Sequence, residues 1–235
     1  QWTADDFWKA LHEGRARDGR LLYPAFPYTS YTRVTRADAD AIWAWLQTLP
    51  PVEQPNRPHA LRFPYDTQAA LLAWRALYFK PGVFVADATK SEDWNRGAYL
   101  VQGLGHCSAC HAPRNALGAS SDPDALAGGL MPVQNWYAPS LTSPHEAGVA
   151  DWAKDDIVAL LRDGVSGNAT AAGPMAEVVF GSTQYLSAAD LDAMAVYLKS
   201  LPVTQSVKAE SIGVLDELRR ERGAQLYGEH CADCH

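Results

Sequence analysis

Two five-residue clusters hold the residues best suited to chemistry: Cys107-Ser-Ala-Cys110-His111 and Cys231-Ala-Asp-Cys234-His235. C-x-x-C-H is the attachment pattern for c-type haem. The two thiols add across the porphyrin vinyl groups. The histidine that follows then lies beneath the ring and ligates the iron. The two clusters use all 4 cysteines of the chain, leaving none for disulfides. Cys107, Cys110, Cys231 and Cys234 are therefore the candidate covalent attachment points, and His111 and His235 the candidate proximal ligands.

An electron-transfer haem needs a sixth ligand, and Met opposite His raises its reduction potential. The chain has 3 methionines. Met194 lies on an apolar helical stripe and is expected to pack in a core. Met131, in Gly-Gly-Leu-Met131-Pro, is expected to be an ordinary loop residue. Met175, in Gly173-Pro174-Met175-Ala176, stands just before the cap of the last helix of its unit. The chain between His111 and Met175 is long enough to wrap a haem and return on its far face. Met175 is the expected distal ligand. A carbonyl near Pro113 is expected to accept a hydrogen bond from the second imidazole nitrogen of His111. Trp136, Tyr137, Ser140 and Arg114 are candidates for propionate contacts, each with an ordinary packing or solvent role as the alternative. His59, His106, His145 and His230 are read as surface histidines.

The elements that position these groups recur along the chain. Trp2–Gly14 aligns with Trp152–Gly164: Trp, two Asp, Leu and the closing Gly share their offsets. Both read as short helices with acidic first turns, which the helix dipole favours, ended by glycine. Thr35-x-x-Asp38 and Ser187-x-x-Asp190 both read as capping-box starts. After them run matching stripes, Ile42, Trp45, Leu46, Leu49 and Met194, Tyr197, Leu198, Leu201, each closed by a proline, Pro50 or Pro202. Arg96-Gly97-Ala98 leads into the first C-x-x-C-H and Arg222-Gly223-Ala224 into the second.

The repeat makes the chain a window on a tandem array. Residues 1–50 read as the C-terminal part of a first unit and 51–92 as a connector with five prolines between 50 and 64 and a helix from Thr67 to Phe79. Residues 93–204 read as a complete second unit, 205–214 as a linker, and 215–235 as the start of a third. A further C-x-x-C-H is expected about 40 residues before Gln1, from the repeat spacing. In the first unit Phe26 stands where the second has Met175. His12 is a ligand candidate there only by elimination, with a helix-surface role as the alternative.

Composition narrows the function classes. Formal net charge is −7, with no basic stripe of the kind nucleic-acid binding needs. No apolar run is long enough to span a bilayer, and residues 1–15 do not form a signal peptide. Attachment of haem to C-x-x-C-H occurs outside the bacterial cytoplasm, so a periplasmic location is expected.

Several stretches add a resemblance: Leu22-Tyr-Pro-Ala-Phe-Pro-Tyr28, Arg62-Phe-Pro64, Asn95–Val101, Gly103–Cys107, His111–Asn115, Ala138–Leu141, Gly173–Val179 and Tyr197–Pro202. Together they resemble the multihaem cytochrome c subunit of bacterial membrane-bound dehydrogenases. These serve alcohol, gluconate, sorbitol and fructose dehydrogenases and some molybdenum hydroxylases. The resemblance covers nearly the whole chain. It implies an all-α fold of tandem class I cytochrome c domains, here one complete domain flanked by two partial ones. It implies three haems in the parent polypeptide, with Cys107, Cys110, His111 and Met175 serving the second and Cys231, Cys234 and His235 the third.

By the same likeness the chain is an electron-transfer subunit and not a catalyst. Its donor would be a dehydrogenase catalytic subunit (flavoprotein, quinoprotein or molybdenum hydroxylase). Its acceptor would be ubiquinone or a terminal oxidase at the outer face of the cytoplasmic membrane. Phe26 resembles the branch attached to molybdenum hydroxylases. Two other readings stand beside this one. A peroxidase-like or thiosulfate-oxidising haem enzyme would need an open iron, and a non-haem C-x-x-C protein would bind zinc or cycle its thiols.

Overall fold

The computed structural model describes residues 2–55, 57–120, 122–131, 134–204 and 214–232. The chain divides into two compact units, Gln1–Val203 and Thr204–His235.

The larger unit is helical apart from one small ribbon. It opens with α1 (Ala4–Glu13), the four-residue α2 (Tyr28–Tyr31) and α3 (Arg36–Leu46). Then come α4 (Gln68–Tyr78), α5 (Glu92–Tyr99), a π-turn at Leu100–Leu104, and α6 (Ser108–His111). Strands β1 (Gly129–Met131) and β2 (Trp136–Ala138) pair antiparallel, Leu130 opposite Tyr137. Helices α7 (Lys154–Asp163), α8 (Pro174–Gly181) and α9 (Ala188–Lys199) complete it. Met131, expected in a loop, ends β1. The ribbon forms because Gly129 lies against the backbone of the C-x-x-C-H helix: a Cβ there would stand 2.3 Å from the Ala112 carbonyl oxygen.

The core is the crossing of α5 on α9. Gly97 makes it possible, since a Cβ at 97 would fall 2.0 Å from the Ala193 carbonyl oxygen. Trp94 meets Tyr197 edge to face at 5.2 Å, and its indole N–H donates to Ser200 Oγ at 2.6 Å. Leu191, Met194, Tyr197 and Leu198 are buried beneath α5 together with Ala98, Leu100 and Val101.

The repeat is visible in local geometry. Gly14 and Gly164 end α1 and α7 at φ +59 and +75, a region open to glycine without a Cβ penalty. Behind each, the carbonyl of that glycine accepts an amide from the returning strand, Leu22 at 2.8 Å and Ala171 at 2.7 Å. Thr35 and Ser187 cap α3 and α9 through their hydroxyls. The reciprocal half of the expected capping box is redirected, because each aspartate turns to α5. Asp38 accepts from the Tyr99 hydroxyl, and Asp190 accepts from Arg96 Nε at 2.7 Å. The Thr35 amide donates to Tyr99 Oη instead, at 3.1 Å.

The two stripes differ in burial. Trp45 is 61% exposed where its counterpart Tyr197 is 2% exposed. Among the described residues of this unit no helix crosses α3 as α5 crosses α9. Both helices stop a few residues short of Pro50 and Pro202, where Thr48 Oγ1 and Ser200 Oγ donate to carbonyls of the last turn, in keeping with the bias against helix before proline.

The proline-rich stretch leads into α4 where the sequence places a helix. Gln68 accepts the Leu21 amide at 2.8 Å, and Trp74 Nε1 donates to the Leu117 carbonyl at 2.9 Å, so α4 touches both flanking segments. Arg75 from α4 lies over the Tyr28 and Phe79 rings. Neither Tyr28 Oη nor Arg75 Nη1 reaches a hydrogen-bond partner. Burial pushes the Tyr28 hydroxyl above its ordinary pKa, and the nearby guanidinium offsets part of that rise.

The smaller unit contains α10 (Val214–His230), which carries the second Arg-Gly-Ala. Leu218, Leu226 and Tyr227 on it are exposed.

Candidate haem site

The approach to the first C-x-x-C-H is a widened turn. α5 runs into the π-turn, and the Gly105 amide reaches back to the Leu100 carbonyl at 2.7 Å. Such turns recur at functional sites. Gly105 has no room for a side chain, since a Cβ would stand 2.9 Å from Leu100 O. His106 follows at φ +39, outside the region most L residues adopt. α6 is then a single turn in which the His111 amide donates to the Cys107 carbonyl at 2.9 Å. Spacing of i, i+3 and i+4 brings Cys107, Cys110 and His111 to neighbouring positions on that turn.

His111 is partly buried, and its Nδ1–H donates to the Pro139 carbonyl oxygen at 2.7 Å. That bond fixes the tautomer and leaves Nε2 with a free lone pair, the arrangement of a metal-ligating imidazole. Burial holds the ring below its ordinary pKa, opposed by the Pro139 bond, so the neutral, ligating form is favoured. The acceptor is Pro139 and not a carbonyl near Pro113. Ala112 is extended (φ −116, ψ 143) and carries the chain outward to an exposed Pro113. The ribbon brings the later carbonyl back: the Gly128 amide donates to the His111 carbonyl at 2.8 Å. Ser140, directly after Pro139, is buried, and its amide donates to Glu146 at 2.7 Å.

Both thiols are free. Desolvation pushes the Cys107 thiol up to about 11, and burial also raises that of Cys110. A reactive redox thiol requires the opposite shift. Among the described residues no cluster of three or more His, Cys, Asp or Glu side chains is placed to hold a metal ion. The donor set suits thioether attachment with one axial imidazole.

Met175 is the second residue of α8. Gly173 (φ +53) turns the chain there, its Cα close enough to Trp136 that a Cβ would stand 2.5 Å from the indole, and Pro174 opens the helix. Met175 and Cys107 are both partly buried against the same apolar cluster, the one containing Leu100, Val101 and Leu126. Met194 is buried in that core, in the packing role read from its stripe.

The remaining candidates divide. Trp136 and Tyr137 are exposed, the latter donating to Glu146 at 3.0 Å. The Ser140 hydroxyl accepts the Thr142 and Ser143 amides. Arg114 is exposed, and its guanidinium donates to the Gly118 and Ala109 carbonyls. His12 bonds the Thr32 carbonyl through Nδ1 at 2.9 Å and stacks on Trp8. His106, read as a surface residue, stacks on Tyr31. Cys231 is exposed beyond α10; Cys234 and His235 lie outside the described residues.

The cytochrome c family model matches residues 95–202, the span holding Cys107, Cys110, His111 and Met175. The whole chain is 37% identical to the fructose dehydrogenase cytochrome subunit of Gluconobacter japonicus, of which it covers 52%. It is also 37% identical over 87% of its length to a diheme cytochrome c-type protein of Cereibacter sphaeroides, 67% of which it covers. The chain belongs to the cytochrome c family. A nicotinate dehydrogenase subunit of Pseudomonas putida also matches the whole chain, at 38% identity over 20% of its own length. This cytochrome spans about half the length of the fructose dehydrogenase subunit and of the alcohol dehydrogenase (quinone) cytochrome c subunits that it matches.

Proposed function

We propose that this cytochrome carries electrons through covalently held c-type haem, from a dehydrogenase catalytic subunit toward ubiquinone or a terminal oxidase at the periplasmic face of the cytoplasmic membrane. The observation that carries the reading is the His111–Pro139 bond, which sets the imidazole, with Nε2 free, beside two free and partly buried thiols. The names of its relatives, cytochrome subunits of fructose, alcohol and gluconate dehydrogenases, support a dehydrogenase as the donor.

Bound haem supplies a one-electron Fe(III)/Fe(II) couple. The chain supplies the rest. Cys107 and Cys110 would hold the porphyrin, and His111 would ligate the iron through Nε2. Met175, at the start of α8, would be the second protein ligand, a thioether of the kind that raises the reduction potential. The buried α5–α9 core would hold these residues in place. We assign residues 93–204 as the complete haem domain, 1–50 and 215–235 as parts of neighbouring domains, and Cys231, Cys234 and His235 as the attachment set of the latter.

The test is Met175→Ala in the haem-loaded chain. The expected result is a lower midpoint potential for the haem at Cys107, or a sixth site that binds exogenous imidazole or carbon monoxide. A variant matching the parent in both spectrum and potential refutes the ligand assignment.

A further inference from the structure

His106 directly precedes the first attachment cysteine, and its backbone at φ +39 is a conformation glycine would adopt more cheaply. Strained backbone of this kind concentrates at functional sites. Here it turns the imidazole onto Tyr31 of α2, with ring centroids 5.4 Å apart and planes 28° apart. Tyr31 in turn meets Phe26 edge-on at 5.5 Å. Phe26 is 36% exposed. By the internal repeat it stands at the place of Met175. Three rings therefore run unbroken from the Phe26 loop to the residue bonded to Cys107.

We infer that Tyr31 and His106 form the electronic contact through which a one-electron redox centre at the Phe26 loop exchanges electrons with the haem at Cys107. The inference rests on the proposed reading that Cys107 carries haem. The electron leaves the donor centre and reduces Fe(III) to Fe(II). The rings shorten the gap for tunnelling, are not themselves oxidised, and no bond or proton moves. The strained backbone of His106 is the cost of holding the middle contact.

A photoactive ruthenium polypyridyl complex, coupled to a cysteine replacing Phe26, stands in for the donor. The haem-loaded chain carries Cys231→Ala and Cys234→Ala, so that the introduced thiol is the reactive one. Flash photolysis then gives the rate of haem reduction from that position. Tyr31→Leu and His106→Gly are expected to slow it several-fold, and Tyr31→Phe to restore it. The Soret spectrum and midpoint potential should stay those of the parent, as should the rate from the same label at position 180 on α8. His106→Gly suits the backbone at 106 and removes the ring without a folding penalty. The inference is overturned if both variants keep the parent rate. It is equally overturned if the slowing comes with a shifted potential or a slowed position-180 control, because the effect is then structural. A parent chain that takes up no covalent haem overturns the proposed function as well, and the absent Soret band tells that failure from the others.

Discussion

The crossing of α5 on α9 is the joint on which the haem frame depends, and Gly97→Ala strains it directly. The added methyl would stand 2.0 Å from Ala193 O, 2.6 Å from Ala193 C and 2.8 Å from Tyr197 Cβ, whereas ordinary contact begins at 3.4 Å. The obstructing atoms are backbone on a buried helix, so the helices must part by about 1.4 Å, the difference between 3.4 and 2.0 Å. Overpacking of this kind costs about 1–3 kcal/mol, and a rigid obstacle places it at the upper end. Alanine returns about 1 kcal/mol in helix propensity. The net loss is then about 2 kcal/mol, or roughly 4–8 °C in Tm for a chain of this size. Thermal unfolding followed in the near-ultraviolet and, in haem-loaded protein, at the Soret band measures it. Gly223→Ala is the internal control. It lies in the same Arg-Gly-Ala sequence on α10, but a Cβ there meets nothing within 4 Å. That variant should gain helicity by circular dichroism and lose no stability. A Gly97→Ala protein as stable as its parent refutes the reasoning.

Three further outcomes follow from the same contacts. Tyr99→Phe removes the hydroxyl shared by Asp38 and the Thr35 amide; urea titration should show a loss of about 1–2 kcal/mol, with faster hydrogen exchange at Thr35. Asp190 is held below its ordinary 3.8 by its hydrogen bond from Arg96. Its contribution is present above that value and is lost as pH falls through the lower, folded-state pKa. Asp190→Asn should therefore flatten stability against pH below about 3.8, an effect within about 1 kcal/mol for a pair this exposed. Tyr28→Phe removes a buried hydroxyl that lies by the Arg75 guanidinium without a well-formed hydrogen bond; chemical denaturation should show nearly unchanged stability, since the desolvation cost and the weak contact are lost together.

Much of the site is legible from local sequence. C-x-x-C-H fixes the spacing of Cys107, Cys110 and His111, and the repeat marks the helix starts at Thr35 and Ser187 and the glycine stops at 14 and 164. These are properties of neighbouring residues. What the sequence hides is set by chain segments far apart. The partner of His111 is a carbonyl 28 residues away, and any backbone can offer a carbonyl, so no residue type signals Pro139. The shared offset of Asp38 and Asp190 reads as capping; it does not reveal that both carboxylates turn to α5. Stripes of matching spacing likewise cannot show that Tyr197 is covered and Trp45 exposed, because burial belongs to whatever crosses the helix. His106 reads as a surface histidine because nothing in its own segment announces Tyr31.

Electron transfer by this chain depends on a covalent haem held at Cys107, Cys110 and His111. The direct test is to produce the chain with c-type haem maturation machinery, digest it, and weigh the peptide that contains residues 107–111. That peptide is expected to carry one haem through two thioether bonds, lost on Cys107→Ala with Cys110→Ala. A peptide recovered with both thiols free, from protein that the maturation machinery has acted on, would contradict it.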